Sequence, residues 1–365
     1  MMTRLQCLVN VVLMTILLST APLAARATTY VYVSVTGEKR IAVYELDHDT
    51  GKLSIVADVA VQGQPGPLAI DPQHRFVFAA VRSANRFATY RFLKDSGKLE
   101  PVTVSEPRGS AAYLSTDQTG RFLFSAHYGE GKIGVHPIDD GGKLGEPVWT
   151  ETADKAHSIL IDKSNRFVFV PHTGPNAVFQ FVFDAESGKL SPNEEPQVSP
   201  DEGQGPRHVF FHPTLDVVYT VNEQGGSVTG WKLDREQGRL MKFQTASTLP
   251  ADFQEKNSCS DIEITPSGRF LFASNRGHDS IASFAIDPKT GKLSPLRQTQ
   301  TEKTPRQFNI DPSGEFLIVA GQGNGRLSVY RINPKTGRLN LQGGYAVGGR
   351  PSWVLAVSVA DADAG

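Results

Sequence analysis

The residues best suited to chemistry are a histidine, a glutamate and several arginines that lie far apart in the chain. They stand in the short segments Ala156-His157-Ser158, Pro206-Arg207-His208, Asn222-Glu223 and Asn275-Arg276. An imidazole or a carboxylate can accept a proton from water. The planar guanidinium of arginine binds carboxylate or phosphate through paired hydrogen bonds. A fold that brings these side chains together would form a site for a small anionic molecule.

A short turn that recurs along the chain indicates how they could meet. It has the form TGKL, SGKL, GGKL, QGRL or TGRL, and successive copies are 45 to 53 residues apart. Periods of this length are typical of solenoids, propellers and repeat arrays. Glycine suits such a turn because it adopts positive φ without steric cost. The turn glycines are Gly51, Gly97, Gly142, Gly188, Gly238, Gly291 and Gly337.

The content of each repeat indicates four short β-strands. An apolar run such as residues 68–72 is followed by an aromatic-rich run such as 75–78, and an alternating run such as 41–46 precedes the turn. Beyond the first 27 residues, no stretch shows a convincing helical period. Four strands in each period describe one blade of a propeller. The sequence therefore predicts an all-β, seven-bladed β-propeller.

The two ends of the repeat region predict how the ring closes. Residues 30–35 match the second strand of a blade, whereas residues 353–357 match a first strand. We expect the C-terminal strand to join the N-terminal blade, so that the ring has no open sheet edge.

Alignment of the repeats predicts which residues meet at one mouth of the central channel. The start of each first strand and the loop between the second and third strands lie on the same face. The first-strand positions are Gly66, Ala112, His157, Arg207, Ser260, Arg306 and Ser352. The loop positions are Thr36, Arg82, Tyr128, Thr173, Glu223, Arg276 and Gln322, and the residues just before them include His127, His172, Asn222 and Asn275.

These positions differ in residue type from blade to blade, which favours a function beyond the repeat. The candidates are His157, Glu223, Arg207 and Arg276, with Arg306, Asn222, Asn275, His127, Tyr128 and Arg82 as further substrate-binding residues. Structural roles remain as alternatives. The two arginines that follow proline could pair with nearby carboxylates, the glutamate could simply neutralise an arginine, and the histidine could be an ordinary channel residue.

Composition and motifs exclude several classes of function. The 365 residues include 37 basic and 38 acidic side chains, for a net charge of −1, which argues against a nucleic-acid partner. No P-loop, HExxH or GxSxG motif is present. The first-strand positions contain no carboxylate, which argues against a central calcium ion. We expect no cofactor and no metal. Cys7 and Cys259 are the only cysteines, so a disulfide framework is excluded.

The first 27 residues have the pattern of a secretory signal peptide. Arg4 precedes a mostly apolar run at residues 8–18, and Ala25-Arg26-Ala27 fits a cleavage site. The predicted organisation is a signal peptide at 1–27, a propeller domain at 28–360 and a tail at 361–365. We expect a periplasmic or secreted monomer without membrane attachment, in which the remaining Cys259 is buried.

The motifs named above, together with Phe211-His212-Pro213 and residues 274–281, resemble the seven-bladed propeller lactonase family. This family includes bacterial propeller-type 6-phosphogluconolactonases and fungal carboxy-cis,cis-muconate cyclases. The resemblance covers residues 29–359. The proposed active site of this family is a histidine, two arginines and a glutamate, and the resemblance implies that they correspond here to His157, Arg207, Arg276 and Glu223.

The resemblance implies hydrolysis of a small anionic sugar lactone, with 6-phosphogluconolactone as the first expectation. Glu223 or His157 would activate water. Arg207 and Arg276 would bind the anion and stabilise the oxyanion. Two alternatives remain: a muconate-type ring-closing reaction, and an exported propeller that binds a small anion or a protein without catalysis.

Overall fold

The computed structural model describes residues 27–359, which form seven four-stranded antiparallel sheets. The predicted seven-bladed propeller is confirmed. The proposed signal peptide, apart from Ala27, and the tail at 361–365 lie outside the described residues. Within the described range, no helix is long and apolar enough to cross a membrane.

The blades follow the chain in order, and within each blade every strand pairs antiparallel with the next. Blade 1 contains β1 (Thr28–Val35), β2 (Arg40–Leu46) and β3 (Leu53–Ala60), with short 3-10 turns at Thr36–Glu38 here and at Arg82–Ala84 in blade 2. Blades 2 and 3 contain β4 (Pro65–Ile70), β5 (Phe76–Val81), β6 (Arg86–Phe92), β7 (Leu99–Val104), β8 (Tyr113–Thr116), β9 (Phe122–His127), β10 (Lys132–Pro137) and β11 (Val148–Glu151). Blades 4 and 5 contain β12 (Leu160–Ile161), β13 (Phe167–His172), β14 (Ala177–Asp184), β15 (Lys189–Val198), β16 (Pro206–Phe211), β17 (Val217–Asn222), β18 (Ser227–Asp234) and β19 (Arg239–Ser247). Blades 6 and 7 contain β20 (Ser258–Ile264), β21 (Phe270–Arg276), β22 (Ser280–Ile286), β23 (Leu293–Gln300), β24 (Pro305–Ile310), β25 (Phe316–Gly321), β26 (Arg326–Ile332) and β27 (Leu339–Ala346).

The last strand, β28 (Pro351–Val359), closes the ring as predicted. It pairs antiparallel with β1 from Thr28 opposite Val359 to Val35 opposite Pro351. The strand order of blade 1 is therefore β28-β1-β2-β3, with the C-terminal strand innermost. Because the first and last strands share one sheet, the ring is held shut by a backbone ladder.

The recurrent turn glycine also forms the contact between blades. Gly97 of blade 2 has φ +66, and a Cβ there would lie 2.2 Å from the ring of Tyr30 in blade 1. Tyr32 donates a hydrogen bond of 2.6 Å to the carbonyl oxygen of Gly97. A side chain at Gly97 would therefore be strained and would also collide with the neighbouring blade. The equivalent contacts are Gly51 on Phe316, Gly142 on Phe76, Gly188 on Phe122, Gly238 on Phe167, Gly291 on Val217 and Gly337 on Phe270.

Arginines just before the second strands join the same neighbours. Arg121 stacks on Phe122, and its Nη2 donates to the carbonyl oxygen of Ala185 in the next blade at 2.6 Å. Arg166 makes the same kind of bond to the carbonyl oxygen of Arg235 at 2.8 Å. These arginines are therefore structural, and they lie at the end of the strands opposite the candidate site.

β-Bulges at the start of the inner strands direct particular side chains to the channel. Pro206 pairs with Asn222 and His208 already pairs with Val221, so Arg207 is the extra residue. A bulge re-aims the side chain that it inserts. The preceding proline has no N–H for the ladder, which favours an interruption there. Equivalent extra residues after a proline are Arg306 and Ser352.

Candidate active site

The carboxylate of Glu223 is the centre of the candidate site. Glu223 directly follows β17, Arg207 is the bulge residue of β16, and Arg276 is the last residue of β21. Glu223 Oε2 accepts a hydrogen bond of 2.9 Å from Arg207 Nε, and it lies 3.3 Å from Arg276 Nη2. The fold therefore brings one carboxylate and two guanidinium groups together across the boundary of blades 5 and 6.

His157 lies on the other side of the same carboxylate. Its Nε2 is 3.9 Å from Glu223 Oε2, and Tyr128 packs against its ring with the centroids 5.2 Å apart. His157 precedes the short strand β12, where its N–H donates to the carbonyl oxygen of Pro171 at 3.0 Å. Pro171 has no N–H to return that bond, which accounts for the interrupted ladder beside His157.

Burial keeps His157 neutral. The side chain is only 6% exposed, and burial, followed by the charge of Arg207 and the neighbouring His208, holds its pKa well below the usual value of 6.5. Its Nδ1 is buried without a partner among residues 27–359, so Nε2 is the ring nitrogen directed to Glu223. A neutral imidazole retains a lone pair that can accept a proton.

The guanidinium of Arg207 is fixed by several acceptors. Its Nη1 contacts His208 Nε2 at 2.9 Å and donates to the carbonyl oxygen of Ser260, while Nε is bound to Glu223. Burial, followed by repulsion from Arg276 and Arg306, lowers the pKa of Arg207 well below 12.5. Its Nη2 has no hydrogen-bond partner among the described residues and is the nitrogen left for a ligand.

A cavity of about 360 Å³ at the mouth of the channel adjoins this cluster through Arg207, which lines it, whereas His157, Glu223 and Arg276 do not. Four arginines line it: Arg82, Arg207, Arg306 and Arg350. Within the described part of the chain, its lining contains no aspartate or glutamate. Burial, followed by repulsion from Arg276 and Arg82, lowers the pKa of Arg306 to about 10. An anionic ligand would relieve this repulsion.

The remaining candidates fall into two groups. Arg82 lines the cavity, where its Nε donates to Ser110 Oγ at 3.2 Å. Asn222 and Asn275 are fully buried inside their blades and do not line this cavity. Asn222 binds Ser227 and Thr229, and Asn275 binds Thr248 and Ser280, so both amides support local turns.

His127 is placed away from the cavity. It is fully buried between blades 2 and 3, its ring lies 5.2 Å from that of Trp149, and its Nε2 contacts Ser125 Oγ at 2.9 Å. Ser125 Oγ also contacts His136 Nε2 at 2.8 Å. His127 therefore belongs to a buried polar network between two blades and not to the channel mouth.

The structure adds residues that the repeat alignment did not select. Arg350 and Trp353 come from the closing strand and its approach, and both line the cavity. The sequence feature that could have identified them is their position: Arg350 comes just before the C-terminal strand β28, and Trp353 lies within it. His208 also lines the cavity and contacts Arg207. The sequence feature that could have identified it is its position directly after Arg207.

Comparison with known proteins places the chain in a family. Residues 24–356 match the family described as lactonase, 7-bladed beta-propeller. The chain belongs to this lactonase family, and its membership supports lactone hydrolysis as the general reaction. Within residues 27–359, no group of three or more His, Cys, Asp or Glu side chains could hold a metal ion.

Two solved structures illustrate the similarity. A periplasmic gluconolactonase from Pseudomonas aeruginosa is 26% identical, with a TM-score of 0.84 over 91% of this chain and 99% of that one. A candidate 6-phosphogluconolactonase from Bacteroides fragilis is 24% identical, with a TM-score of 0.83 over 93% of this chain and 100% of the other. The similarity to the Bacteroides protein shows that the two chains share a fold.

Proposed function

We propose that this protein hydrolyses a sugar-type lactone that carries a negative charge. One observation supports this most: Glu223 is held between Arg207, Arg276 and a neutral His157, beside a cavity lined by arginines. The set supplies a proton acceptor and cationic donors for an oxyanion, which ester hydrolysis requires.

In this mechanism, His157 activates the water. The 3.9 Å between His157 Nε2 and Glu223 Oε2 exceeds a hydrogen bond and leaves room for one water to contact both atoms. The water oxygen attacks the lactone carbonyl carbon while its proton moves to Nε2. Glu223 stabilises the imidazolium that results. Because two arginines already occupy its Oε2, Glu223 acts as an orienting anion and His157 as the base.

The arginines stabilise the charge that develops on the substrate. Arg207 Nη2 and the guanidinium of Arg276 donate to the oxyanion of the tetrahedral intermediate. The ring C–O bond then breaks, and the ring oxygen takes the proton from His157. The product is the open hydroxy acid, and the enzyme returns to its starting state.

The cavity supports an anionic sugar lactone as the substrate. Arg82, Arg306 and Arg350 are available to bind a carboxylate or phosphate at a distance from the reacting ester. The name of the Pseudomonas relative suggests a gluconolactone ring. We take 6-phosphogluconolactone as the first substrate to test and the unphosphorylated lactone as the second.

The protein acts outside the cytoplasm in this proposal, as an exported monomer with a cleaved N-terminal segment. The similarity to a periplasmic protein supports export, as does the pattern of residues 1–27. Mass spectrometry of the protein from fractionated cells tests it. A mature N-terminus near Thr28 outside the cytosol is expected, and an intact N-terminus in the cytosol contradicts export.

A panel of lactones, each with and without an anionic group, tests the function. We expect the purified protein to hydrolyse an anionic sugar lactone faster than its spontaneous rate. A protein that binds such anions but hydrolyses no lactone would be a binding module. Formation of a lactone from an open dicarboxylate would assign the ring-closing reaction instead.

A further inference from the structure

His208 lies beside Arg207 in the cavity wall and connects it to a buried carboxylate. His208 Nε2 is 2.9 Å from Arg207 Nη1, and His208 Nδ1 is 2.7 Å from Asp261 Oδ1. The side chains of Arg207, His208 and Asp261 are 2%, 3% and 7% exposed. The mechanism described above does not use His208 or Asp261.

The contacts determine the proton positions on His208. A guanidinium only donates hydrogen bonds, so His208 Nε2 must be unprotonated and accept from Arg207. The other ring nitrogen, Nδ1, therefore carries the proton and donates it to the Asp261 carboxylate. With this assignment, each donor in the series Arg207, His208 and Asp261 faces an acceptor.

Asp261 is itself held by one hydrogen bond within its own blade and one to the neighbouring blade. Its Oδ2 accepts from the N–H of Phe308 in blade 7 at 3.2 Å, and its own N–H donates to Ser274 Oγ at 2.9 Å. The carboxylate therefore has a fixed position, and His208 transmits that position to Arg207.

Aromatic neighbours restrict rotation of the His208 ring. Tyr113 packs edge-on against it with the centroids 5.0 Å apart, and His157 lies at 5.3 Å. Trp353 contacts the same ring at 6.3 Å. A ring held on three sides keeps its Nε2 lone pair directed at Arg207.

We propose that His208 and Asp261 are positioning residues for lactone hydrolysis, which fix Arg207 so that its Nη2 faces the reacting carbonyl. This inference rests on the proposed function. Arg207 needs such support because Arg276 and Arg306 repel it inside the protein. With Nε bound to Glu223 and Nη1 bound to His208 and Ser260, only Nη2 remains for the substrate.

Two substitutions test this role in the full mature chain. His208→Gln removes the ring that links Arg207 to Asp261, and Asp261→Asn keeps the shape but removes the charge. For His208→Gln we expect kcat to fall on the order of 100-fold, as for a small misplacement of a catalytic group, with KM nearly unchanged. Asp261→Asn should give a smaller fall in kcat.

A double substitution separates positioning from stability. If His208 acts through Arg207, then His208→Gln should lower kcat little further in an Arg207→Lys background. His212→Gln is the matched control, because His212 is also a buried histidine but contacts the carbonyl oxygen of Gly268 at 3.0 Å. It should lower the melting temperature without lowering kcat per folded molecule.

The outcomes distinguish this inference from the proposed function. A wild-type protein that hydrolyses no lactone contradicts the proposed function. An active wild-type protein with normal kcat in both His208→Gln and Asp261→Asn overturns only the positioning role. A His208 ring found protonated at Nε2 by nitrogen NMR at neutral pH would also overturn it, whereas a proton on Nδ1 supports it.

Discussion

The carboxylate of Glu223 lies 3.3 Å from Nη2 of Arg276, although the two residues belong to neighbouring blades. The same Nη2 donates to Ser258 Oγ at 2.6 Å and to the carbonyl oxygen of Cys259 at 3.0 Å. Arg276 is therefore fixed by the start of the inner strand of its own blade. The site depends on how blades 5 and 6 pack, and residues far from it can affect its geometry.

Arg207→Lys should lower kcat/KM by about 100-fold or more, the effect typical of losing an oxyanion donor. Lysine offers one point charge and cannot contact Glu223, His208 and the substrate at once. Steady-state kinetics on an anionic lactone measure the loss. Arg121→Lys is the matched control at the far end of its strand and should leave turnover unchanged. Equal activity of Arg207→Lys and wild type would contradict the role given to Arg207.

Arg306→Gln should weaken recognition of charge and leave the chemical step in place. We expect kcat/KM to fall about tenfold for an anionic lactone, which is the effect of losing one charge-assisted hydrogen bond. For a neutral lactone, kcat/KM should change little. Arg297→Gln, on the exposed outer strand β23, serves as the control. An equal loss on both substrates would show that Arg306 does not select the anion.

The same substitution should not destabilise the fold. Arg306 has no hydrogen-bond partner for its side chain within residues 27–359, and neighbouring arginines repel it. Removal of its charge should therefore leave the melting temperature unchanged or raise it. A large decrease in melting temperature would show that Arg306 has a structural role.

Gly97→Ala should destabilise the propeller by about 1–3 kcal/mol, as overpacking of a core typically does. The backbone φ is +66, and the new Cβ would lie 2.2 Å from the Tyr30 ring. Gly129→Ala is the control, because a Cβ at Gly129 meets no atom within 4 Å. Chemical denaturation compares the two midpoints. Equal midpoints would contradict the contact between turn and neighbouring blade.

The buried pair His127 and His136 should make stability fall in mild acid. Burial lowers the pKa of His127 to about 4 and that of His136 well below 6.5. Between about pH 6.5 and pH 4 the unfolded chain binds protons that the folded chain excludes, so stability decreases as the pH decreases. Melting temperatures across this range measure the slope. His127→Gln combined with His136→Gln should make it shallower, and an unchanged slope would exclude these residues as its cause.

The blade count and ring closure could be predicted because both follow from repeated residue patterns. Each blade repeats its turn glycine, since that glycine must pack against an aromatic or β-branched side chain of the preceding blade. The final strand could be recognised because residues 353–357 match a first strand without its partners. The burial of Cys259 was likewise predicted and is confirmed.

The alignment was less informative where side-chain direction matters. Successive residues of a strand point to opposite faces, so a loop residue such as Glu223 and the preceding Asn222 point different ways. This explains why His127, Asn222 and Asn275 lie inside the blades. It also explains why the repeat alignment gives His208 no mouth position, because the bulge at Arg207 shifts the alternation by one residue.

The most direct measurement of the central claim is the hydrolysis rate of an anionic sugar lactone by the wild type, Glu223→Gln and His157→Ala. Glu223→Gln keeps the shape but loses the charge between Arg207 and Arg276, and His157→Ala removes the base. We predict wild-type hydrolysis above the spontaneous rate and a loss of about 100- to 10,000-fold in His157→Ala, as expected for a general base. Glu223→Gln should also lose most of its activity, with both variants still folded. Full activity in both folded variants would contradict the account and place the chemistry elsewhere.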